Sequence, residues 1–530
     1  MCLPPPRAGR GVAPPESVLA RLSAAAVFGV DAVPVSVEVD VSSGLPGVTM
    51  VGLPDATVRE SRDRVRSAIR NSGFPFPGTR VTVSLAPADV RKVGAAFDLP
   101  IALGILAASG VLPYRSDRPD RDERRFTVVG GVSLDGGVPP MRGLLPIAVS
   151  ARRTSSALLF PSDNLQEAGI VDGLRLFPVR SITDAARVLC SPHPAPTPAP
   201  PVAADRAERD ADDLADVRGQ VFGRRALEIA AAGAHHLLFS GPPGAGKTML
   251  ARRLPGLLPP PGPDEALAVT TVHSVAGLLP PGAGLLGARP FRAPHHTCSD
   301  IALVGGGSVP RPGELSLAHT GVLFLDELPE FSRRVLETLR QPLEQGVVHI
   351  ARAARSVVFP ARVMLVAAMN PCPCGYAGSS THACRCPPAA IERYRRRLSG
   401  PLHDRLDLTV DLPAVPWRDL AREAEGEASA AVQARVFAAR SRQLARQGTT
   451  NALLDGRTLR RVCAPSDAAT ERLLAQGVAR LGLSGRGVAR VLRVARTIAD
   501  LDGASGLERR HVAEALQFRV RDGVSSVAKL

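Results

Sequence analysis

Residues 237–248 read LLFSGPPGAGKT, the most informative stretch of this 530-residue chain. Its first four residues form a short run typical of a buried strand, and the rest match the G-x-x-x-x-G-K-[ST] pattern of a phosphate-binding loop. Glycines let the backbone N–H groups of such a loop point at phosphate oxygens, and the helix that follows adds its dipole. We expect Lys247 to reach the β- and γ-phosphates and Thr248 to ligate Mg²⁺. The residues predicted to hold the nucleotide are Gly241, Pro242, Pro243, Gly244, Ala245, Gly246, Lys247 and Thr248.

Two further apolar runs end in polar side chains that suit the same site. The run VLFLDE places Asp326 to hold the Mg²⁺ through water and Glu327 to polarise an attacking water. The run AAMN ends in Asn370, whose uncharged amide can orient water against the γ-phosphate. The alternatives are an ordinary polar strand end for the two carboxylates and a turn residue before Pro371 for Asn370.

The overall charge favours a polyanionic partner. Lys and Arg number 65 against 50 Asp and Glu, which leaves a net charge of +15. Such an excess points first to nucleic acid, although a codon bias towards arginine explains it as well. Aromatic residues make up only 4% of the chain, so a recognition surface of stacked aromatic rings is not expected.

The sequence carries no sign of a membrane or secreted protein. No apolar run reaches the roughly 18 residues of a membrane span, and the start of the chain lacks the apolar core of a signal peptide. Eight cysteines in 530 residues do not make a disulfide scaffold. We therefore expect a cytoplasmic protein without a membrane partner.

Four of the eight cysteines lie close together. Cys372-x-Cys374 is followed after nine residues by Cys384-x-Cys386, and four thiolates suit a tetrahedral structural Zn²⁺. The C-x-C spacing is less common than C-x₂-C, and His382 in the intervening loop is a candidate to replace one cysteine. Free thiols and a redox pair are the alternatives.

A proline-rich stretch divides the chain. Six of the eleven residues from 191 to 201 are proline, which predicts a stiff, extended linker. Strand and helix signals alternate before it, as in an α+β domain. After it, buried strands alternate with helices as in a parallel α/β sheet, and only helices follow. The expected divisions are a flexible extension at 1–22, an α+β domain at 23–190, a linker at 191–215, a nucleotide-binding core at 216–412 and a helical domain at 413–530.

Five long segments carry a family resemblance. They are GLPGVTMVGLPDATVRES (44–61), LAPADVRKVGAAFDLPIALGIL (85–106), DVRGQVFGRRALEIAAAGAHHLLFSGPPGAGKTML (216–250), PFRAPHHTCSD (290–300) and NPCPCGY (370–376). Over nearly its whole length, the chain resembles the ComM/YifB proteins, the magnesium-chelatase-like branch of AAA+ ATPases. The resemblance implies an α/β fold: an AAA+ P-loop parallel sheet with a helical lid, preceded by a Lon-protease-like, S5-type α+β domain.

The resemblance also implies an assembly and an activity. The assembly is a homohexameric ATPase ring. ComM proteins are implicated as DNA helicases that drive branch migration during natural transformation. Single-stranded or branched DNA and recombination proteins are therefore the expected partners.

A ring needs a cation from the neighbouring subunit at the γ-phosphate, and arginine suits this role because it is always charged. Arg405, in LSGPLHDRLDL, matches the arginine-finger position of the family, with an ordinary ion pair to Asp404 or Asp407 as the alternative. Arg486 begins the stretch that resembles the sensor-2 helix of the lid. The alternatives on the same helix face are Arg490 and Arg493.

Two inserts are candidates for nucleic-acid contact. Residues 346–360 read GVVHIARAARSVVFP and predict a hairpin with Arg352 and Arg355 beside its tip, which in this AAA+ branch points into the pore of the ring. Residues 301–315 carry three consecutive glycines and Arg311, and predict a mobile loop. Solvated arginines without a partner are the alternative.

Proteolysis is not expected from the Lon-like domain. A Lon-type active site needs a nucleophilic serine and a lysine base. The corresponding segment, KVGAAFD at 92–98, has no serine, and Lys92 is the one lysine of the domain. We interpret the domain as a non-catalytic fold used for binding or assembly.

Three functions compete. A DNA-translocating motor is favoured by the net charge and by the arginines of the inserts. A protein-remodelling or magnesium-chelatase-type motor that drives a partner protein is the runner-up. A nucleotide-dependent scaffold without turnover is disfavoured by the intact set of Lys247, Asp326, Glu327, Asn370 and Arg405.

Overall fold

A computed structural model describes residues 18–52, 56–88, 92, 94–113, 126–201, 212–280, 282–307, 309–351, 356–379, 382–398, 400–421 and 426–519. The described residues fall into two compact units. The first takes those within Met1–Asp205, Thr270–Leu285 and Ala351–Val357, and the second takes those within Arg206–Val269, Leu286–Ile350 and Val358–Leu530.

The first unit is built on a seven-stranded mixed sheet with the strand order β3-β4-β2-β1-β5-β6-β7. Strands β1, β2 and β4 pair antiparallel, and the remaining neighbours pair parallel. Every residue of α2 is buried, as expected of a helix that is apolar all round. The elements are β1 (Val18–Phe28), β2 (Asp31–Ser42), β3 (Gly47–Val51), α1 (Ala56–Asn71), β4 (Arg80–Ala86), α2 (Asp98–Ala108), β5 (Phe126–Val128), α3 (Leu144–Arg153), β6 (Ala157–Pro161), α4 (Leu165–Gly169), β7 (Leu176–Val179) and α5 (Ile182–Cys190).

One expected division of the chain differs from the structure. The expected boundary between residues 22 and 23 falls inside β1, which pairs with β2 along its whole length. The proline-rich stretch, predicted as a stiff, extended linker, also pairs with the first unit, because the backbone N–H of Thr197 donates to the carbonyl of Leu176 in β7 over 2.8 Å. Pro200 also packs against Gly169, where an added Cβ would lie 2.7 Å from its ring. A proline-rich composition predicts an extended backbone, but it does not show whether that backbone packs against a sheet edge.

The described elements after the linker include both helices and strands up to residue 411, and those beyond it are helices. They are α6 (Val221–Gly233), β8 (Leu237–Ser240), α7 (Lys247–Leu257), α8 (Pro263–Ala276), β9 (Phe291–Arg292), α9 (Asp300–Val304), β10 (Gly305–Gly306), β11 (Arg311–Pro312), α10 (Glu314–Leu317), β12 (Val322–Leu325), α11 (Arg333–Thr338), α12 (Arg340–Gln345), β13 (Val347–Ala351), β14 (Ser356–Pro360), β15 (Met364–Met369), α13 (Pro388–Arg396), α14 (Gly400–His403), β16 (Leu408–Asp411), α15 (Trp417–Ala421), α16 (Ser429–Gln447), α17 (Gly456–Val462), α18 (Ala468–Leu481), α19 (Gly485–Leu501) and α20 (Arg509–Gln517).

The second unit is centred on a five-stranded sheet of order β16-β8-β15-β12-β9. All its pairings are parallel, and every residue of β8, β12 and β15 is buried. Continuous apolar runs are needed because helices cover both faces of such a sheet. One hydrophobic core joins Phe239 of β8, Leu250 of α7 and Val491 of the C-terminal helix α19. The predicted parallel α/β core and helical C-terminal region are confirmed.

The described part of the insert at 301–315 contains a short helix and a strand pairing, which the sequence did not predict. It begins with the short helix α9 and continues into a two-stranded ladder in which Gly305 pairs with Pro312 and Gly306 with Arg311. Gly305 has φ of 102°, and an added Cβ would lie 2.5 Å from the carbonyl oxygen of Arg311. The glycines therefore permit a close strand pairing as well as a turn. The predicted hairpin at 346–360 is present as β13 and β14.

Among the described residues, no helix has the combination of length and apolar character that a membrane crossing requires.

Candidate functional site

The sheet order brings three polar loops to one edge. In a parallel sheet all strands end at the same edge, so the loops after neighbouring strands lie side by side. Strand β15 lies between β8 and β12. The loop after β8 is the predicted phosphate-binding loop, the residue after β15 is Asn370, and the residues after β12 are Asp326 and Glu327. Side chains that are 123 positions apart, such as Lys247 and Asn370, thereby come into contact.

The backbone of the phosphate-binding loop needs its glycines at defined places. Gly244 and Gly246 have φ of 77° and 86°, the left-handed region in which side chains are strained. An added Cβ on Gly241 would lie 2.5 Å from the carbonyl oxygen of Leu412, which follows β16. Helix α7 begins at Lys247, so its N-terminal dipole points into the loop.

Lys247 is held inside the loop by three acceptors. Its Nζ donates to the carbonyl of Gly241 over 2.7 Å, to the carbonyl of Pro242 over 3.0 Å and to Oδ1 of Asn370 over 3.0 Å. Burial lowers the pKa of Lys247, while the negative charges of Asp326 and Glu327 oppose that shift. The three acceptors therefore hold the ammonium group inside the loop that is expected to bind the phosphates.

Asp326 and Thr248 meet as a Mg²⁺ site requires. The hydroxyl of Thr248 donates to Oδ2 of Asp326 over 2.8 Å, and the N–H of Glu327 donates to Oδ1 of Asp326 over 2.9 Å. A hydroxyl and a carboxylate are the oxygen ligands that Mg²⁺ takes in a phosphate site. These two residues fit the ion, and they stand on the rim of the loop that holds the phosphates.

Glu327 stands free enough to act on water. It adopts a left-handed backbone with φ of 51°, and its side chain is 54% exposed. One carboxylate oxygen lies 3.4 Å from Nδ1 of His296, which follows β9. Strained backbone at a non-glycine residue is common where a side chain must be aimed at a reaction. Sequence reasoning gave no role to His296.

These residues line one cavity of about 740 Å³, a volume that suits a nucleotide. Asp326, Glu327 and Asn370 lie at its phosphate end with the loop residues from Pro243 to Thr248. The rest of the lining was not predicted, because no motif in the sequence marks it. These further lining residues are Asp216, Val217, Arg218, Gln220, Met249 and Val415. Gln220 ties this part to the loop, since its Nε2 donates to the carbonyl of Ala245 over 3.0 Å.

Arg405 lies at the opposite edge of the sheet. It precedes β16, which runs parallel to β8, so a four-residue strand of about 13 Å separates it from the phosphate-binding loop of its own chain. Its Nε donates to the carbonyl of Arg340 over 3.0 Å, and its Nη2 pairs with Glu344. The ion pair that the structure describes for Arg405 is therefore with Glu344. Arg405 cannot serve the phosphates of its own chain.

The predicted lid arginines lie outside the described lining of the cavity. Arg486 is exposed at the first turn of α19. Arg490 is buried with its guanidinium 3.9 Å from Asp404 and 3.9 Å from Asp407, and burial lowers its pKa. Arg493 donates to the carbonyl of Leu454 over 2.5 Å. In this conformation none of the three side chains lines the nucleotide cavity as described.

The four clustered cysteines converge on one point. Their sulfur atoms all lie within 4.8 Å of one another. Cys372 Sγ is 3.3 Å from that of Cys374 and 3.7 Å from that of Cys384, and Cys374 and Cys384 are 3.6 Å apart. His382 is not part of the group, and its ring stacks on Tyr376 with centroids 4.8 Å apart. Hydrogen bonds from the backbone amides of Arg385 and Tyr376 contribute to lowering the pKa of Cys374 to about 6.

The predicted DNA-contacting residues are only partly described. Arg311 is exposed in β11 of the insert. Arg352 and Arg355 lie outside the described residues, between the two strands of the hairpin.

In the first unit, Lys92 is fully buried and donates to the carbonyl of Pro87. Burial and this contact suit a structural role for the lysine.

Comparison with known protein families agrees with this geometry. Family models of the magnesium chelatase subunit ChlI match residues 213–420 and 37–164, and the model of its C-terminal part matches residues 426–519. The competence protein ComM of Haemophilus influenzae is 45% identical over 507 residues, which cover 94% of this chain and 97% of ComM. This chain belongs to the ComM/YifB family.

Two further relatives also cover nearly the whole chain, and a third covers about a quarter of it. YifB of Escherichia coli is 45% identical over 499 residues, 94% of this chain and 96% of YifB. Rv2897c of Mycobacterium tuberculosis is 45% identical over 521 residues, 94% of this chain and 98% of that protein. An MCM-type protein of Methanocaldococcus jannaschii, MJ0961, is 28% identical over 136 residues, 26% of this chain. The family is magnesium-chelatase-like and AAA+, which implies an ATPase that uses Mg²⁺ and suggests an oligomer.

Proposed function

We propose that this protein is an ATP-driven motor that moves along DNA, as a helicase or branch migrator in natural transformation or recombination. The observation that carries the ATPase part is the contact of Lys247 with Asn370, with Thr248 and Asp326 paired beside them around one cavity. A scaffold without turnover would not need a Glu327 aimed into that cavity.

Each residue of the site has a separate task. When bound, Mg²⁺ would neutralise phosphate charge, and Thr248 and Asp326 would hold it. Lys247 carries the cation that meets the β- and γ-phosphates. Glu327 takes the proton of the attacking water, and Asn370 orients that water by its amide. The left-handed loop glycines direct backbone N–H groups at the phosphates.

The ring is the second part of the proposal. Arg405 lies a strand length away from the phosphate-binding loop of its own chain, so we assign it to the ATP site of a neighbouring subunit. A homohexamer places one such arginine at each ATP site. Its pairing with Glu344 means that it must exchange partners when a nucleotide-filled neighbour docks. Arg486 is proposed to meet the phosphates after the lid closes, because it is exposed at the first turn of α19.

DNA is the proposed track because the chain carries a net charge of +15 and exposes Arg311 on an ordered insert. Arg352 and Arg355, which lie outside the described residues, complete the proposed contacts. A sixfold ring would multiply these cations into a collar for phosphates. The relative named competence protein ComM favours DNA taken up in transformation, either single-stranded or branched, and recombination proteins as partners.

The four cysteines are proposed to hold Zn²⁺. Zinc–thiolate bonds of about 2.3 Å in a tetrahedron place sulfur atoms about 3.8 Å apart. Separations of 3.3, 3.6 and 3.7 Å, in a set whose four sulfur atoms all lie within 4.8 Å, are near that value and too long for a disulfide bond. Cys372, Cys374, Cys384 and Cys386 form a closed set of four, which is typical of a structural site.

We further propose a non-catalytic Lon-like N-terminal domain, an AAA+ core that includes the cysteine cluster, a helical lid and a cytoplasmic location. A magnesium-chelatase-type motor that drives a partner protein is the second candidate. It is favoured by the three matching models of a chelatase subunit.

A labelled four-way DNA junction separates the two functions. The motor on DNA should resolve the junction into duplexes only with hydrolysable ATP. Arg311→Ala should bind the junction more weakly and lower the slope of log affinity against log salt by about 1. Arg472→Ala is the matched control. It removes an exposed arginine from helix α18, away from the insert, and should leave junction binding unchanged. ATP turnover without any junction binding would favour the chelatase-type motor.

A further inference from the structure

One glycine connects the cysteine cluster with the phosphate-binding loop. Gly375 turns the chain back, with φ of 87° and its N–H donating to the carbonyl of Cys372 over 2.9 Å. An added Cβ on Gly375 would lie 2.7 Å from Cδ and 2.9 Å from Cγ of Pro243. Pro243 lines the nucleotide cavity. The loop between the first two and the last two cysteines therefore packs directly against the backbone that cradles phosphate.

A second connection passes through Asn370. Its Oδ1 accepts from Lys247, and its backbone lies near the hydroxyl of Tyr394, where it acts to lower the pKa of that group. Tyr394 is buried in α13, which begins two residues after Cys386, and burial raises its pKa to about 12. The chain thus leaves the nucleotide site at Asn370, passes all four cysteines and returns to Asn370.

The segment between these two contacts is irregular in its described part. In its described part, from residue 371 to residue 379 and from 382 to 387, the structure has no helix or strand. Closing and ordering such a loop costs conformational entropy. Four thiolates on one ion would tie both halves of the loop together and offset that cost.

We propose that the metal held by Cys372, Cys374, Cys384 and Cys386 is a working part of the nucleotide site. By closing the loop, the metal keeps Gly375 against Pro243 and Asn370 beside Lys247, and so raises the affinity for nucleotide. This inference rests on the proposed zinc site and on the proposed ATPase. Because coupling is reciprocal, bound nucleotide must also tighten the hold on the metal.

Loss of one ligand is the first test, made on the full chain. Zinc is measured by elemental analysis, and nucleotide affinity by titration with a fluorescent ATP analogue. Cys384→Ser should lose zinc and bind the analogue about tenfold more weakly, within the range of coupling between two sites. Cys190→Ser, a thiol of the first unit, should change neither quantity. A Cys384→Ser protein that loses zinc yet keeps the wild-type affinity overturns the inference.

The contact itself is tested by a matched pair of glycines. Gly375 and Gly378 both have a left-handed backbone, with φ of 87° and 77°, but an added Cβ on Gly378 meets nothing within 4 Å. Gly375→Ala should bind the analogue several-fold more weakly, whereas Gly378→Ala, which carries the same backbone strain, should bind it normally. Equal affinity in the two variants contradicts the proposed contact.

These measurements distinguish failure of the zinc proposal, of the nucleotide-site proposal and of the coupling between the two sites. Wild-type protein without zinc removes the metal proposal, whatever its nucleotide affinity. Wild-type protein no better than Lys247→Ala at binding the analogue removes the nucleotide site. With both in place, the reciprocal effect remains to be seen directly: the analogue should slow the transfer of zinc to a colorimetric chelator, and an unchanged transfer rate contradicts the coupling.

Discussion

Nζ of Lys247 lies 3.0 Å from Oδ1 of Asn370, so the cation of the phosphate-binding loop and the amide of the neighbouring strand already contact each other. The amide and two loop carbonyls hold the ammonium group where the phosphates bind. Nucleotide binding must therefore replace these acceptors with phosphate oxygens. This exchange links Asn370 to the arrival of the γ-phosphate.

Lys247→Ala should weaken ATP binding strongly. The variant removes the buried cation and leaves the carbonyls of Gly241 and Pro242 without their donor. Loss of charge-assisted hydrogen bonds predicts an affinity lower by about tenfold to a hundredfold. The measurement is a titration with a fluorescent ATP analogue, after thermal unfolding has shown that the variant is folded. Wild-type affinity would remove Lys247 from the proposed site.

Glu327→Gln should bind ATP and hydrolyse it about 10²- to 10⁴-fold more slowly, because the amide cannot take the proton of the attacking water. Steady-state turnover and analogue affinity separate the two effects. Glu330→Gln is the matched control, since Glu330 lies three residues away and pairs with Arg397. Turnover that stays near the wild-type rate in Glu327→Gln would assign the reaction to another base.

Arg405→Ala should bind ATP nearly normally and lose turnover by about 10³-fold, because an arginine finger acts on the transition state. Mixing it with Lys247→Ala should restore activity, since an intact loop of one subunit can then face an intact Arg405 of the other. The readout is ATPase rate against mixing ratio, after subunit exchange has been confirmed. A mixture no more active than the weighted mean of the two variants would leave Arg405 as the structural partner of Glu344, and would move the search to Arg393, Arg395, Arg396 and Arg397.

Stability should fall as the pH drops below about 6.5. Nδ1 of His319 accepts the backbone N–H of Arg362 over 3.1 Å, and burial lowers the pKa of His319 to about 4. The unfolded chain takes up this proton at a higher pH than the folded chain. The stability that neutral His319 contributes is therefore complete above the unfolded pKa and is lost as the pH falls towards the folded pKa. The loss of stability amounts to about 2 kcal/mol at pH 5. His236 accepts the backbone N–H of Leu365 over 3.0 Å, and burial lowers the pKa of His236 as well.

The measurement for this prediction is the thermal midpoint between pH 7.5 and pH 5. His319→Gln should be less stable at pH 7.5 but should show a shallower dependence on pH. Identical slopes in the two proteins would mean that His319 does not carry the effect.

Much of the nucleotide site follows from the sequence because its residues directly follow apolar strands. In a parallel sheet, the end of a strand fixes where the next residue lies, so Asp326 and Asn370 could be placed from their runs alone. The clustering of Cys372, Cys374, Cys384 and Cys386 is likewise local, and their spacing was enough to predict a shared site.

Contacts between distant segments could not be predicted in this way. Nδ1 of buried His235 lies 3.3 Å from Asp407 and its Nε2 lies 2.8 Å from the hydroxyl of Thr497, residues that are 172 and 262 positions away. No local pattern marks such pairs, because each partner is an ordinary residue of its own helix or loop. The pairing of Arg405 with Glu344 was missed for the same reason, since the neighbouring aspartates in sequence were the obvious candidates.

ATP turnover measured with and without DNA is the most direct test of a motor that moves along DNA. The rate should rise severalfold with single-stranded DNA or a branched junction, and the rise should weaken with added salt, because phosphate contacts release counterions. Glu327→Gln, which should hydrolyse ATP slowly with or without DNA, gives the background rate of the assay. Turnover that is robust but unchanged by any DNA, at low as at moderate salt, would contradict DNA as the track and leave a partner protein in its place.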